Sequence, residues 1–134
     1  MFVDACAIIA LLSDEPEAER ISNALAGAQQ SMTSPVAVLE AVIALARPDK
    51  FGRPIDATQA LVLEFLEARG IELEDMPPAA ETTRLALSAA HRYRQGRRGL
   101  NLGDCLHYAC AKYHRTPILA TAGEFQQTDL ETVP

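Results

Sequence analysis

The sequence predicts an α/β domain in which a central parallel sheet is flanked by helices in three layers. Two short apolar runs suited to buried strands, MFV at the start and TPILAT at 116–121, are separated by stretches of helical period. The resulting alternation of strand, helices, strand, helices and strand is the connectivity of a parallel sheet. The chain has 134 residues, of which 49% are hydrophobic and 22% charged. That is one domain's worth of core, spanning 1–134, with enough apolar surface to exclude disorder.

The elements follow in order. Residues 1–3 form a strand whose end delivers Asp4, and ACAIIALL opens a helix. Glu15 to Ala28 places Ala18, Ile21, Leu25 and Ala28 at helical spacing, with acids in the first turn where the helix dipole favours them. Gln29 to Thr33 is a connector or short strand. Ser34 and Pro35 then supply an N-cap and a first-turn proline for the nearly all-apolar helix VAVLEAVIALA, with Glu40 in its middle. After the turn-rich stretch 46–54, Asp56 to Arg69 is a helix with Leu61, Phe65 and Leu66 on one face and Gly70 as its stop. IELE at 71–74 alternates as an edge strand does. Ala79 to Tyr93 is amphipathic through Leu85 and Leu87, QGRRG at 95–99 is a basic loop, and a helix runs from about Asp104 to His114. The last clear strand is TPILAT.

Several function classes are excluded at this level. Cys6, Cys105 and Cys110 are an odd count without a C-x-x-C pair, which fits neither a disulfide framework nor a zinc cage, and the latter two read as small buried hydrophobes. The apolar first twelve residues lack a basic leader and are interrupted by Asp4, and nowhere is there the run of about 20 apolar residues that a membrane span needs. A cytoplasmic protein with no membrane partner is the expectation.

The formal charge of −6 disfavours a polyanionic ligand, yet it is unevenly distributed. From Arg84 to Arg115 seven basic residues face a single acid, Asp104. Arg92, Arg94, Arg97 and Arg98 are the candidates to guide a nucleic acid, against the alternative of a solvated helix end and loop. The acids are also patterned. Fourteen fall in polar stretches, whereas Asp4, Glu40, Asp104 and Glu124 each stand alone in otherwise uncharged sequence. A carboxylate taken out of water costs several kcal/mol unless a counter-charge meets it, so isolated acids in apolar segments need a reason. Asp4 and Glu124 follow strands, at the sheet edge where ligands gather in such folds. If all four converge, a divalent cation is the economical way to neutralise them, and all-oxygen donors select Mg²⁺ or Mn²⁺ over zinc. The plainer readings are an N-cap for Asp104, a hydrogen-bonded core acid for Glu40 and an exposed loop for Glu124. His91, His107 and His114 are read as surface groups, each a phosphate contact at most.

The segments MFVDACAI, SPVAVLEAVIAL, LNLGDCLHYACAK and PILATAGEFQQTDL together resemble a PIN domain, specifically a VapC-type toxin of a bacterial toxin–antitoxin pair, over nearly the whole chain. The resemblance implies a Mg²⁺-dependent endoribonuclease, with Mn²⁺ as a substitute, held inactive by a small VapB-type antitoxin and forming a homodimer. It maps the acidic site onto Asp4, Glu40, Asp104 and Glu124, with the first three as the ligand core. Three positions depart from the pattern. Cys6 replaces a serine or threonine, and where the family commonly has Lys-Gly-Asp-Asp-Phe or Lys-Gly-Glu-Asp-Phe the chain has Thr121, Ala122, Gly123, Glu124 and Phe125. One acid is thereby lost to Gly123, and the fourth ligand is a glutamate. The departures sustain a second reading, a catalytically weak PIN-like module that mainly binds its antitoxin. A small Mg²⁺ phosphohydrolase is a third, but VDACA lacks the second aspartate of a D-x-D arrangement. The helices at 18–28 and 36–45 offer more apolar face than one small core consumes, which an antitoxin helix would cover, or the core itself.

Overall fold

The computed structural model describes residues 1–121 and 123–134. Among these residues five short strands form one all-parallel sheet flanked by six helices. In chain order these are β1 (Phe2–Val3), α1 (Ala5–Leu12), α2 (Ala18–Gly27), β2 (Ser31–Thr33), α3 (Pro35–Ala46), α4 (Ile55–Ala68) and β3 (Ile71–Leu73). They are followed by α5 (Ala79–Tyr93), α6 (Leu102–Tyr113), β4 (Ile118–Leu119), a 3₁₀ helix (Gly123–Gln127) and β5 (Thr132–Val133). The strand order is β3-β2-β1-β4-β5. The chain therefore leaves β1 toward β2 on one side and returns through β4 on the other, which makes the carboxyl end of β1 a topological switch point.

Central placement explains why MFV is apolar throughout: Phe2 and Val3 are buried, paired with Met32 on one side and with Ile118 and Leu119 on the other. Beyond Val3 the chain is held at the backbone, since the Asp4 N–H donates to the Leu119 carbonyl (3.0 Å) and the buried Thr33 hydroxyl donates to the Val3 carbonyl (2.8 Å). Asp4 then becomes the N-cap of α1, its Oδ2 accepting from the Cys6 N–H at 3.1 Å. Ser34 caps α3 in the same way through Ala37, with Pro35 in the first turn.

The expected elements are present, with shifts that have local causes. The second helix begins at Ala18 instead of Glu15, after a turn in which Asp14 takes a positive φ of 52°. Helix α6 begins at Leu102 instead of Asp104, because Asn101 is its N-cap and Asp104 completes a reciprocal capping box. Asp104 is thus not the cap. In α4 the buried stripe is Thr58, Val62 and Leu66, with Leu61 and Phe65 on its shoulders. In α5 Leu85 and Ala89 are buried while Leu87 is exposed, so the expected pairing of Leu85 with Leu87 fails for two residues about 200° apart on a helix. Gly70 ends α4 at φ 63°, where a side chain would be strained. The 3₁₀ helix and β5 were not expected; both are too short to impose a period on the sequence.

The last segment is fastened by Asp129, which accepts from the Lys112 ammonium (2.6 Å) and the Tyr108 hydroxyl (2.8 Å) and lies 3.9 Å from Arg92. The Lys112 hydrogen bond, aided by Tyr108 and the two cations, holds its carboxyl below the usual aspartate range. Among the described residues no helix is long and apolar enough to cross a membrane.

Replacing Thr33 by Val keeps the shape but leaves the Val3 carbonyl without its buried donor. We expect a loss of about 1–2 kcal/mol, read as a lower urea midpoint with an unchanged slope.

Candidate active site

The four solitary acids come from four different places in the chain. Asp4 sits at the end of β1, Glu40 in the second turn of α3, Asp104 in the first turn of α6 and Glu124 in the 3₁₀ helix after β4. All four line one cleft of about 380 Å³, together with Cys6, Arg47, Asn101 and the apolar side chains of Ile9 and Ile43. A second lobe of about 550 Å³ shares Asn101, Asp104 and Glu124 and is walled by Arg97, Arg98 and Gln126.

Asp4 and Asp104 are buried, whereas the Glu40 side chain is 37% exposed. Asp4 spends one oxygen on the α1 cap; the other, Oδ1, is buried without a hydrogen-bond partner. Asp104 accepts from the Asn101 N–H through Oδ2 at 2.9 Å. Burial, reinforced by the charges of Asp4 and Glu124, nevertheless pushes its carboxyl up to about 6. The cleft is therefore short of positive charge. Cys6, half-buried, accepts from the Thr121 N–H at 3.2 Å and so joins the Asp4 turn to the segment after β4. Burial first, then the neighbouring Asp4 charge, drives its thiol far above the usual range. It is a neutral S–H here.

One residue was misread from the sequence. His107 is 1% exposed, not a surface group, and its Nε2 is hydrogen-bonded to Glu40 Oε2 and lies 3.7 Å from Asp4 Oδ1. Burial by itself lowers its pKa, but the Glu40 hydrogen bond and the charges of Asp4, Glu40 and Asp104 outweigh that and raise it. The available signal was helical spacing, since His107 follows Asp104 by three residues and so shares its face. Gly103 was also passed over. A Cβ at that position would collide with Glu40 Oε1 and stand 2.7 Å from its carboxyl carbon, so any other residue would displace the Glu40 carboxylate from where it lies.

The four candidate arginines separate. Arg97 and Arg98 line the second lobe, and Arg98 Nη1 lies 3.4 Å from where a Gly123 side chain would begin. A side chain at 123 would thus begin in contact with that guanidinium. Arg92 instead lies against Asp129 and over the Tyr93 ring, at 4.9 Å from its centroid, and Arg94 ends α5 as its C-cap. Neither lines the cleft. Ala122, between the two residues of the loop just discussed, lies outside the described residues. Of the two helices with surplus apolar residues, α2 buries Ile21 and Leu25, whereas α3 leaves Leu39 and Ile43 more than half exposed beside the cleft. Among the described residues no three histidine, cysteine, aspartate or glutamate side chains already form a metal-holding cluster.

The family description of the PIN domain matches residues 1–129. The chain belongs to the PIN domain family. This PIN domain is 33% identical over 135 residues to ribonuclease VapC30 of Mycobacterium tuberculosis, covering 99% of this chain and 98% of that one. It is 38% identical to ribonuclease VapC36 of the same organism, covering 98% and 91%, and 33% identical to a ribonuclease VapC of Mycolicibacterium smegmatis, covering 99% of each. Its fold is that of M. tuberculosis VapC20, a toxin cleaving the sarcin–ricin loop, with TM-score 0.75, 18% identity and coverage of 99% and 98%. A chain of a toxin–antitoxin complex from Klebsiella pneumoniae matches with TM-score 0.64 and 16% identity, over 92% of this chain and 88% of that one.

Because the raised pKa of Asp104 lets the folded protein hold a proton that the unfolded chain releases, this group costs stability as pH rises from about 4 to about 6. Asp104→Asn keeps the capping acceptor and removes the charge. In metal-free buffer the variant should melt a few degrees above wild type at pH 7, with the gap closing as pH falls below 5.

Proposed function

We propose that this PIN domain is a divalent-metal-dependent endoribonuclease and the toxin of a toxin–antitoxin pair. The observation that carries the reading is the convergence of Asp4, Glu40, Asp104 and Glu124 on one cleft whose adjoining lobe is walled by Arg97 and Arg98. The VapC ribonucleases it resembles over nearly their whole length support it.

The residues fit a hard cation. Asp4 presents a buried oxygen with no partner, and Asp104 is pushed toward protonation by burial first and then by its acidic neighbours. Both features describe a site lacking positive charge, and the donors are oxygens suited to Mg²⁺ or Mn²⁺. Asp4, Asp104 and Glu40 would hold the ion, which when bound supplies charge neutralisation at the scissile phosphate and an acidified water. Asp4 contributes a fixed oxygen, because its backbone is tied to β4 and its other oxygen to α1. Glu124, which lines both lobes with Asp104, orients the attacking water. Arg97 and Arg98 bind phosphates on one side of the scissile bond and bring RNA to an otherwise acidic surface. Leu39 and Ile43, exposed next to the cleft, are where a VapB-type antitoxin covers apolar surface while closing the site. A homodimer completes the assembly.

The deciding experiment is cleavage of structured and single-stranded RNAs by antitoxin-free protein with Mg²⁺, Mn²⁺ or EDTA. Cutting that needs metal and falls at least ~10²-fold in Asp4→Asn and Asp104→Asn is the expected result. A folded wild type that cuts nothing, beside an active relative that cuts the same panel, would support the antitoxin-binding module instead. Replacing Arg97 and Arg98 together by alanine should raise KM and flatten the salt dependence of RNA binding by about two phosphate contacts; Arg92→Ala should do neither.

A further inference from the structure

Against Glu40, behind the lining of the cleft, lies a buried polar side chain that the chemistry above leaves unused. His107 is 1% exposed, and its ring stacks on the equally buried Phe2 of β1, with centroids 5.9 Å apart and planes inclined by 30°. The imidazole is thereby fixed to the central strand. Its Nε2 is hydrogen-bonded to Glu40, and Gly103, one helical turn earlier on α6, lies directly beneath the same carboxylate. Glu40 is a long, partly exposed member of the quartet, and its carboxylate is hydrogen-bonded to α6 through His107. The two α6 residues hold it from the side and from below.

We propose that His107 is the positioning residue for Glu40: its Nε2–H donates to the carboxylate and keeps it on the surface of α6 beside Asp4 and Asp104, ready for the cation. The inference rests on the metal reading of the cleft. Nδ1 is buried without a partner. That suits a ring whose single proton is on Nε2, where only an acceptor is left unfilled. A ligand-orienting group of this kind typically changes metal affinity or activity by about 10–100-fold, whereas a ring that merely fills core against Phe2 changes folding stability alone.

The test compares wild type with His107→Leu, which fills the space without a donor, His107→Gln, whose amide N–H can reach Glu40, Glu40→Gln, and the double variant His107→Leu/Glu40→Gln. Mn²⁺ binding by calorimetry, kcat and KM on RNA, thermal melting and the ring ¹⁵N shifts of metal-free protein are measured for each. His107→Leu should bind Mn²⁺ at least ~10-fold more weakly, with lower kcat and unchanged KM, and His107→Gln should recover most of the loss. In the Glu40→Gln background His107→Leu should cost nothing further in Mn²⁺ affinity. The wild-type ring should show protonation at Nε2, with a shift that moves in Glu40→Gln. Additive losses, or wild-type Mn²⁺ affinity in folded His107→Leu, would overturn the proposal. Should His107→Leu fail to fold, the shorter His107→Asn takes its place, with the same outcomes deciding. A wild type that binds no Mn²⁺ overturns the metal reading itself, and with it the purpose of the contact; wild-type binding that survives the loss of His107 overturns the positioning role alone.

Discussion

Carboxylates that face one another inside a low-dielectric cleft repel, and most of the local architecture manages that repulsion. Asp4 lies at the carboxyl end of the central strand, with its N–H bound to β4 and the carbonyl before it bound to Thr33, so it cannot retreat from its neighbours. Asp104 is fixed by reciprocal bonds with Asn101, and its charge faces Asp4 and Glu124. Beside this excess stand a histidine hydrogen-bonded to Glu40, Arg47 in the cleft lining and two arginines in the adjoining lobe. Sheet topology supplies the convergence: β1 and β4 meet at the switch point, while α3 and α6 bring their acids in from either side.

The frame and the acids were legible because each left a pattern that outlasts local detail. Solitary charges in apolar stretches mark Asp4, Glu40, Asp104 and Glu124, and hydrophobic period with caps such as Ser34-Pro35 marks most of the helices. What escaped has no one-dimensional signature. His107 lies in a helix that also carries Lys112, and only tertiary packing against Phe2 tells a buried imidazole from a surface one. Gly103 looks like part of a loop until α3 is seen against it. Arg92 and Arg98 are indistinguishable by composition; the first is occupied by Asp129 and the second reaches the space left by Gly123. Boundaries shifted for a similar reason, as in α6, where a capping box decided between two plausible starts.

The departures from the family pattern acquire local roles. The Cys6 thiol accepts a backbone hydrogen bond from Thr121, the kind of link a hydroxyl at that place also makes, although a neutral, weakly polar sulfur is a poorer partner for the adjacent aspartate. Gly123 exchanges an acid for proximity to a guanidinium. Cys6 acts where the Asp4 turn meets the segment after β4, and Gly123 acts on the wall beyond β4.

The anchoring of the final segment by Asp129 also shapes the electric field. By meeting Lys112 and Arg92 it damps two of the cations in the basic stretch, whereas Arg97 and Arg98 stand in the lobe shared with Asp104 and Glu124. On a protein of net charge −6 an approaching polyanion meets this basic pair against an overall repulsive charge. The molecule's overall sign becomes a filter on the direction of approach, and productive encounters are selected for orientation before contact is made.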